Sequence, residues 1–236
     1  VSWVESWLFP PFMLSIIRVL FTAELIAALF FTIHMHATGG NLTKFIFYLT
    51  HLSALAVVVY QVALAVLGLR DQWRRLETRR CHGWSGWLLH ELYVSNFTLQ
   101  LVIVPTYWVL LRRPKDIDTP GKVWMQVSLH GAALLSMLAD FVFSKRTFVA
   151  KGDAMLVIGC TGLYMLWMWA AAALHPNGTR SGNRWWPYPI FSLANFQNLM
   201  WYGAILVGVV VAFIAVYWLH RLKARLMRPS TKRLQV

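Results

Sequence analysis

Acidic residues are scarce in this chain. Nine Asp and Glu stand against 22 Lys and Arg in 236 residues, and charged residues of both signs amount to only 13%. An ordinary soluble domain carries about 25%, so a soluble enzyme with a solvated surface is excluded. Cysteine is nearly absent as well. Cys81 falls in a basic loop and Cys160 inside an apolar run; a disulfide between them is not expected, and neither has metal-ligand spacing. No H-E-x-x-H or comparable metal motif occurs. Internal repeats, low-complexity tracts and period-2 strand alternation are also missing.

What the chain has instead is apolar residues, 58% of the total, gathered in long runs. Each run is about the 20 residues that a bilayer-spanning helix needs. Backbone polar groups in lipid must be satisfied within the segment, so runs of this length are read as helices. Six spans are expected, at 12–33, 45–69, 87–111, 123–143, 154–174 and 196–220, followed by a basic tail at 221–236. The fold class is therefore an all-α integral membrane protein. A single membrane domain occupies residues 1–236, because too little chain remains between the runs for a soluble domain. The first residue is Val, consistent with a longer N-terminus, and the first run is too long for a cleaved signal peptide.

Orientation follows from the Lys and Arg outside the spans. Fourteen lie in the loops "RDQWRRLETRRCHG" and "SKRTFVAKGD" and in the tail, against seven on the other side. This bias places both termini in the cytosol. The sequons at Asn41 and Asn177 fall on the non-cytosolic side, whereas the one at Asn96 lies within a span. The positive charge thus reads as a topology signal, and nucleic acid is not an expected partner. "RWWPYP", Arg184 to Pro189, reads as an interfacial aromatic anchor.

Ionisable and polar groups inside a bilayer are costly, which makes them functional candidates. Most of them map to one half of the membrane: His34 and His36 end the first span, Thr50 and His51 begin the second, His130 is in the fourth, and His175 ends the fifth. At about 1.5 Å per residue, Thr50 lies roughly 7 Å and His130 roughly 10 Å below the start of its span, so the two can share a level if those spans touch. His51 projects about 100° away from Thr50. A threonine hydroxyl becomes a nucleophile when a base removes its proton, and neutral histidine is the usual base. Oxyanion or substrate contacts in the same half are available from Gln126, Ser128, Trp185, Trp186, Asn195 and Gln197.

Structural readings compete with this chemistry. A threonine near a helix end commonly bonds its own backbone one turn back, and a histidine in a span is commonly an interhelical packing residue. His34 and His36 are expected among headgroups or water, and the Trp-rich faces as interface belts. Arg18 is expected to snorkel or pair with Glu24, and Asp140 to sit within reach of Lys145 or Arg146. Ten residues, roughly 15 Å, separate Asp140 from His130, so a Ser-His-Asp-type triad is not supported.

Three patches resemble the androgen-induced-gene family of multi-pass membrane proteins. They are Gly39–Gly40 followed by "YLT" at Tyr48–Thr50, then "VWMQVSLHGAALLSMLAD" with Trp124, His130 and Asp140, and "YMLWMWAAAALH…WWPYP" from Tyr164 and Trp167 to Tyr188 and Pro189. The resemblance implies an intramembrane hydrolase of lipid esters, specifically fatty acid esters of hydroxy fatty acids, with Thr50 as nucleophile and His130 as its histidine. The chain departs from the family at Val127, where a second histidine is common, and at Asp140, where Glu is usual. Its connection after Leu174 is also longer. No cofactor is expected. The expected partners are an amphiphilic ester reaching the site from the bilayer and the membrane lipids themselves, with the Thr50/His130 end non-cytosolic in the endoplasmic reticulum or plasma membrane. Two alternatives remain open: a non-catalytic lipid-binding regulator or transporter, and a metal or haem protein built on His34, His36, His51, His130 and His175.

Overall fold

In the computed structural model the described residues are 6–8, 10–40, 42–74, 84–112, 118–145, 148–174, 188 and 196–227, and they contain helices and no β-strand. The elements are α1 (Pro11–Thr38), a 3₁₀ turn (Leu42–Phe47), α2 (Leu49–Arg74) and α3 (Trp84–Thr106), which continues as a π-helical segment (Tyr107–Leu111). The fourth span is composite: α4 (Pro120–Gln126), a second π segment (Val127–Ala132) and α5 (Ala133–Phe143). Last come α6 (Asp153–Leu174) and α7 (Phe196–Leu226). Six of these helical units are long and apolar enough to cross a membrane.

Local chemistry sets the boundaries. Pro11 opens α1, where its missing N–H costs nothing. At the other end the Gly39 N–H caps the Met35 carbonyl, and Gly40 turns the chain at φ +66°, a left-handed conformation that suits glycine. Thr119 accepts from the Lys122 N–H to start α4. Pro105 sits inside α3 without an N–H for the ladder, and the π segment follows directly.

Several expected boundaries shift: the first span runs on to Thr38 rather than residue 33, and the third starts at Trp84 rather than residue 87. The second span starts at Leu49 rather than residue 45, because Phe45, Ile46 and Phe47 belong to the 3₁₀ turn. Thr50 is consequently the second residue of its helix and not a full turn deep. The fourth helix starts earlier, at Pro120. The seventh runs to Leu226, so the first residues of the basic tail are helical.

α3 is the hub, packing on α2, α5, α6 and α7, while α1 pairs extensively with α2. One apolar core joins residues of all six spans, including Leu25, Val57, Phe97, Met137, Val157 and Phe213. α2 also touches both the Val127–Ala132 segment and α5, the neighbour relation that a Thr50–His130 pair requires.

The buried charges pair differently from expectation. Arg18 does not pair with Glu24. Its guanidinium donates to Asp140 on α5, with Nε at 3.0 Å, and the Tyr60 hydroxyl of α2 donates to the same carboxylate. Arg18 and Asp140 are both 2% exposed. A buried carboxylate takes the closest matching donors, and the α1–α5 packing supplies a fork-shaped guanidinium; Lys145 and Arg146 are not its partners in the described contacts. At the same end Lys223 of α7 donates to the Phe141 and Ser144 carbonyls, and Trp7 donates to the Val142 carbonyl. Asn96, the sequon inside a span, is buried and donates to the Leu92 carbonyl at 2.6 Å.

Candidate active site

Thr50 opens α2 and is 7% exposed. One turn earlier, the Ile46 carbonyl accepts the Trp167 indole N–H at 3.0 Å. The phenol of Tyr188 lies against the start of α2 and is hydrogen-bonded by the Thr50 hydroxyl. Tyr164 on α6 secures the same helix start: its hydroxyl accepts the Leu49 N–H at 3.0 Å and donates to the Phe47 carbonyl at 2.9 Å. Burial pushes the Tyr188 phenol up from its ordinary pKa, and the Thr50 hydrogen bond partly opposes this. The phenol therefore keeps its proton at neutral pH and remains a donor.

His130 lies in the π segment of the fourth span and is 3% exposed. Tyr107, in the π segment that ends the third span, stacks on it with ring centroids 3.7 Å apart and planes 8° from parallel. Its Nδ1 is buried without a hydrogen-bond partner among the described residues. π segments inside helices are rare and often mark functional positions, and here two of them meet at one ring stack.

Thr50 and His130 line one chamber of about 270 Å³ with His36, Tyr48, His51, Tyr107, Gln126 and Tyr188. Thr50 also borders a second space, a narrow apolar crevice walled by Leu99, Ile103, Met168 and Val209 among others. Leu49, Leu99, Cys160 and Tyr164 are shared between that crevice and an open groove of about 760 Å³ along α2, α3 and α6. The threonine thus stands between a polar room and an apolar path.

The other expected residues divide. Gln126 is half-buried on the chamber wall. Ser128 donates to Glu24 at 2.6 Å, and Trp124 donates to the same oxygen at 2.8 Å, so Ser128 is committed to a carboxylate and is a poor oxyanion donor. Trp185, Trp186 and Asn195 lie outside the described residues, as does His175; Gln197 is in the first turn of α7, its side chain not described. His36, expected among headgroups, packs edge-on against His51 at 5.4 Å and lines the chamber, whereas His34 is exposed. His51 stacks on Phe45 at 4.4 Å and bonds the Phe45 carbonyl through Nδ1 at 2.9 Å. His36, His51 and His130 share the chamber wall, but among the described residues the one group of three potential metal ligands is elsewhere, at His90, Glu91 and Asp153. Tyr107 and Tyr188 were not singled out for the site by sequence; the weak signals were Pro105 two residues before Tyr107, and Tyr188 inside "WWPYP".

A multi-pass helical membrane protein with a polar chamber sunk into one end of the bundle is the class that fold and site define. A family model described as FAR-17a/AIG1-like protein matches residues 14–222. The chain belongs to this family, the androgen-induced-gene family. No curated protein and no solved structure matches it.

Proposed function

We propose that the protein is an intramembrane lipid-ester hydrolase in which Thr50 is the nucleophile and His130 the base. One observation carries the reading: both side chains line a single chamber, with Thr50 at its border with an apolar crevice. An ester reaching the site along the α2–α3–α6 groove leaves its acyl chain in apolar surroundings and its carbonyl at Thr50. His130 takes the hydroxyl proton as Oγ bonds to the carbonyl carbon, and negative charge develops on the carbonyl oxygen. The Tyr188 phenol, which keeps its proton, is the donor for that oxygen. Collapse transfers the proton from His130 to the departing alkoxide and leaves an acyl-threonine. Water then attacks, gives its proton to His130, and releases the acid while Thr50 recovers its hydrogen.

Fatty acid esters of hydroxy fatty acids are the substrate class that we infer from the family. We further infer that the chamber faces the non-cytosolic side of the endoplasmic reticulum or plasma membrane, with the termini cytosolic. A lipid-binding regulator without turnover is the second reading, favoured by the apolar crevice and groove. Covalent labelling separates the two. A fluorophosphonate probe is expected to add its phosphonyl mass to the peptide carrying Thr50, with none on Thr50→Ala. No adduct on folded wild-type protein contradicts the hydrolase.

A further inference from the structure

The first turns of α3 and α6 bring three metal-ligating side chains together, roughly 25 Å along α3 from the Tyr107–His130 stack at about 1.5 Å per residue. One ligand atom each from His90, Glu91 and Asp153 lies within 4.8 Å of the other two. His90 Nε2 is 2.8 Å from Asp153 Oδ2. The same oxygen accepts the Ala150 N–H at 2.8 Å, so Asp153 is held in place from two sides. Glu91 is only 9% exposed. Its carboxylate is hydrogen-bonded by Trp87, yet Oε2 is buried with no partner among the described residues.

The cluster has more acceptors than donors and too little positive charge. Among the described residues no Lys or Arg forms an ion pair with either carboxylate, and Lys151, close in sequence, is exposed. Burying an ionised oxygen without a donor or a counter-charge is strongly unfavourable. A cation at the centre removes both defects.

We propose that His90, Glu91 and Asp153 bind a divalent transition-metal ion, with Zn²⁺ the best match. A neutral imidazole and two carboxylates suit zinc, and three protein ligands leave a fourth tetrahedral position for water. Two carboxylate charges balance the ion, making the site neutral. The ion ties α3 to α6 at the end of the bundle away from Thr50, so the site stands independently of the hydrolase reading.

The test uses the full chain, purified in detergent without chelator and with an affinity tag free of histidine, then loaded with zinc sulfate and desalted. Elemental analysis is expected to give about one zinc per wild-type or Thr50→Ala chain and less than about a fifth of that in Glu91→Gln and His90→Asn. Zinc is also expected to raise the melting temperature of wild type and leave Glu91→Gln unmoved. Wild type without stoichiometric zinc overturns the proposal. So does equal zinc in Glu91→Gln and His90→Asn, which would put the ion elsewhere.

Discussion

Tyr188 determines what the start of α2 offers a substrate. Its phenol is hydrogen-bonded by the Thr50 hydroxyl, and under the hydrolase reading its own O–H meets an arriving carbonyl oxygen. Under the hydrolase reading Tyr188→Phe removes one donor and keeps the ring, and kcat is expected to fall about 10²-fold with KM little changed; steady-state kinetics on a soluble short-chain ester checks this. Thr50 and His130 were legible as residue types, because a hydroxyl and an imidazole in apolar runs stand out. Their supports were not. Tyr107 and Tyr188 are aromatic residues in a chain that is 15% aromatic, and only packing distinguishes a stacked ring or a sunken phenol from an interface belt.

At the scale of elements, the tie between α1, α2 and α5 rests on Asp140 with Arg18 and Tyr60. Asp140→Asn leaves a buried guanidinium without its counter-charge and is expected to cost about 3–5 kcal/mol. Arg18→Met with Asp140→Leu is expected to recover much of that, since an apolar pair carries no desolvation penalty; thermal denaturation in detergent reads both. Gly40→Val tests backbone conformation alone: an added Cβ there meets nothing within 4 Å, so the expected loss of about 1–2 kcal/mol comes from φ +66°. The six spans were legible because hydropathy over about 20 residues has a strong physical cause. Their ends were less so, since Phe45–Phe47 is as apolar as a span yet forms a 3₁₀ turn packed between α1, α2 and α6. The two π segments leave no hydropathy mark at all. Asp140 and Arg18, separated by 122 positions, gave no sequence sign of their pairing.

Across the whole molecule, the polar chamber and the Arg18–Asp140 network lie toward opposite ends of the bundle, which gives the protein two buried polar layers with an apolar core between. Under the proposed orientation, a membrane-impermeant thiol reagent is expected to modify Cys81 from the cytosolic side only, and modification from the other face inverts the topology. Contact between the second and fourth spans, on which the chemistry depends, was the least legible feature in sequence, and α2 meets the Val127–Ala132 segment directly. The decisive measurement is ester hydrolysis by purified wild-type, Thr50→Ala and His130→Ala proteins in detergent, with matched melting curves. The account predicts turnover by wild type and a loss of at least about 10²-fold in each folded variant. Undiminished turnover by either one contradicts it.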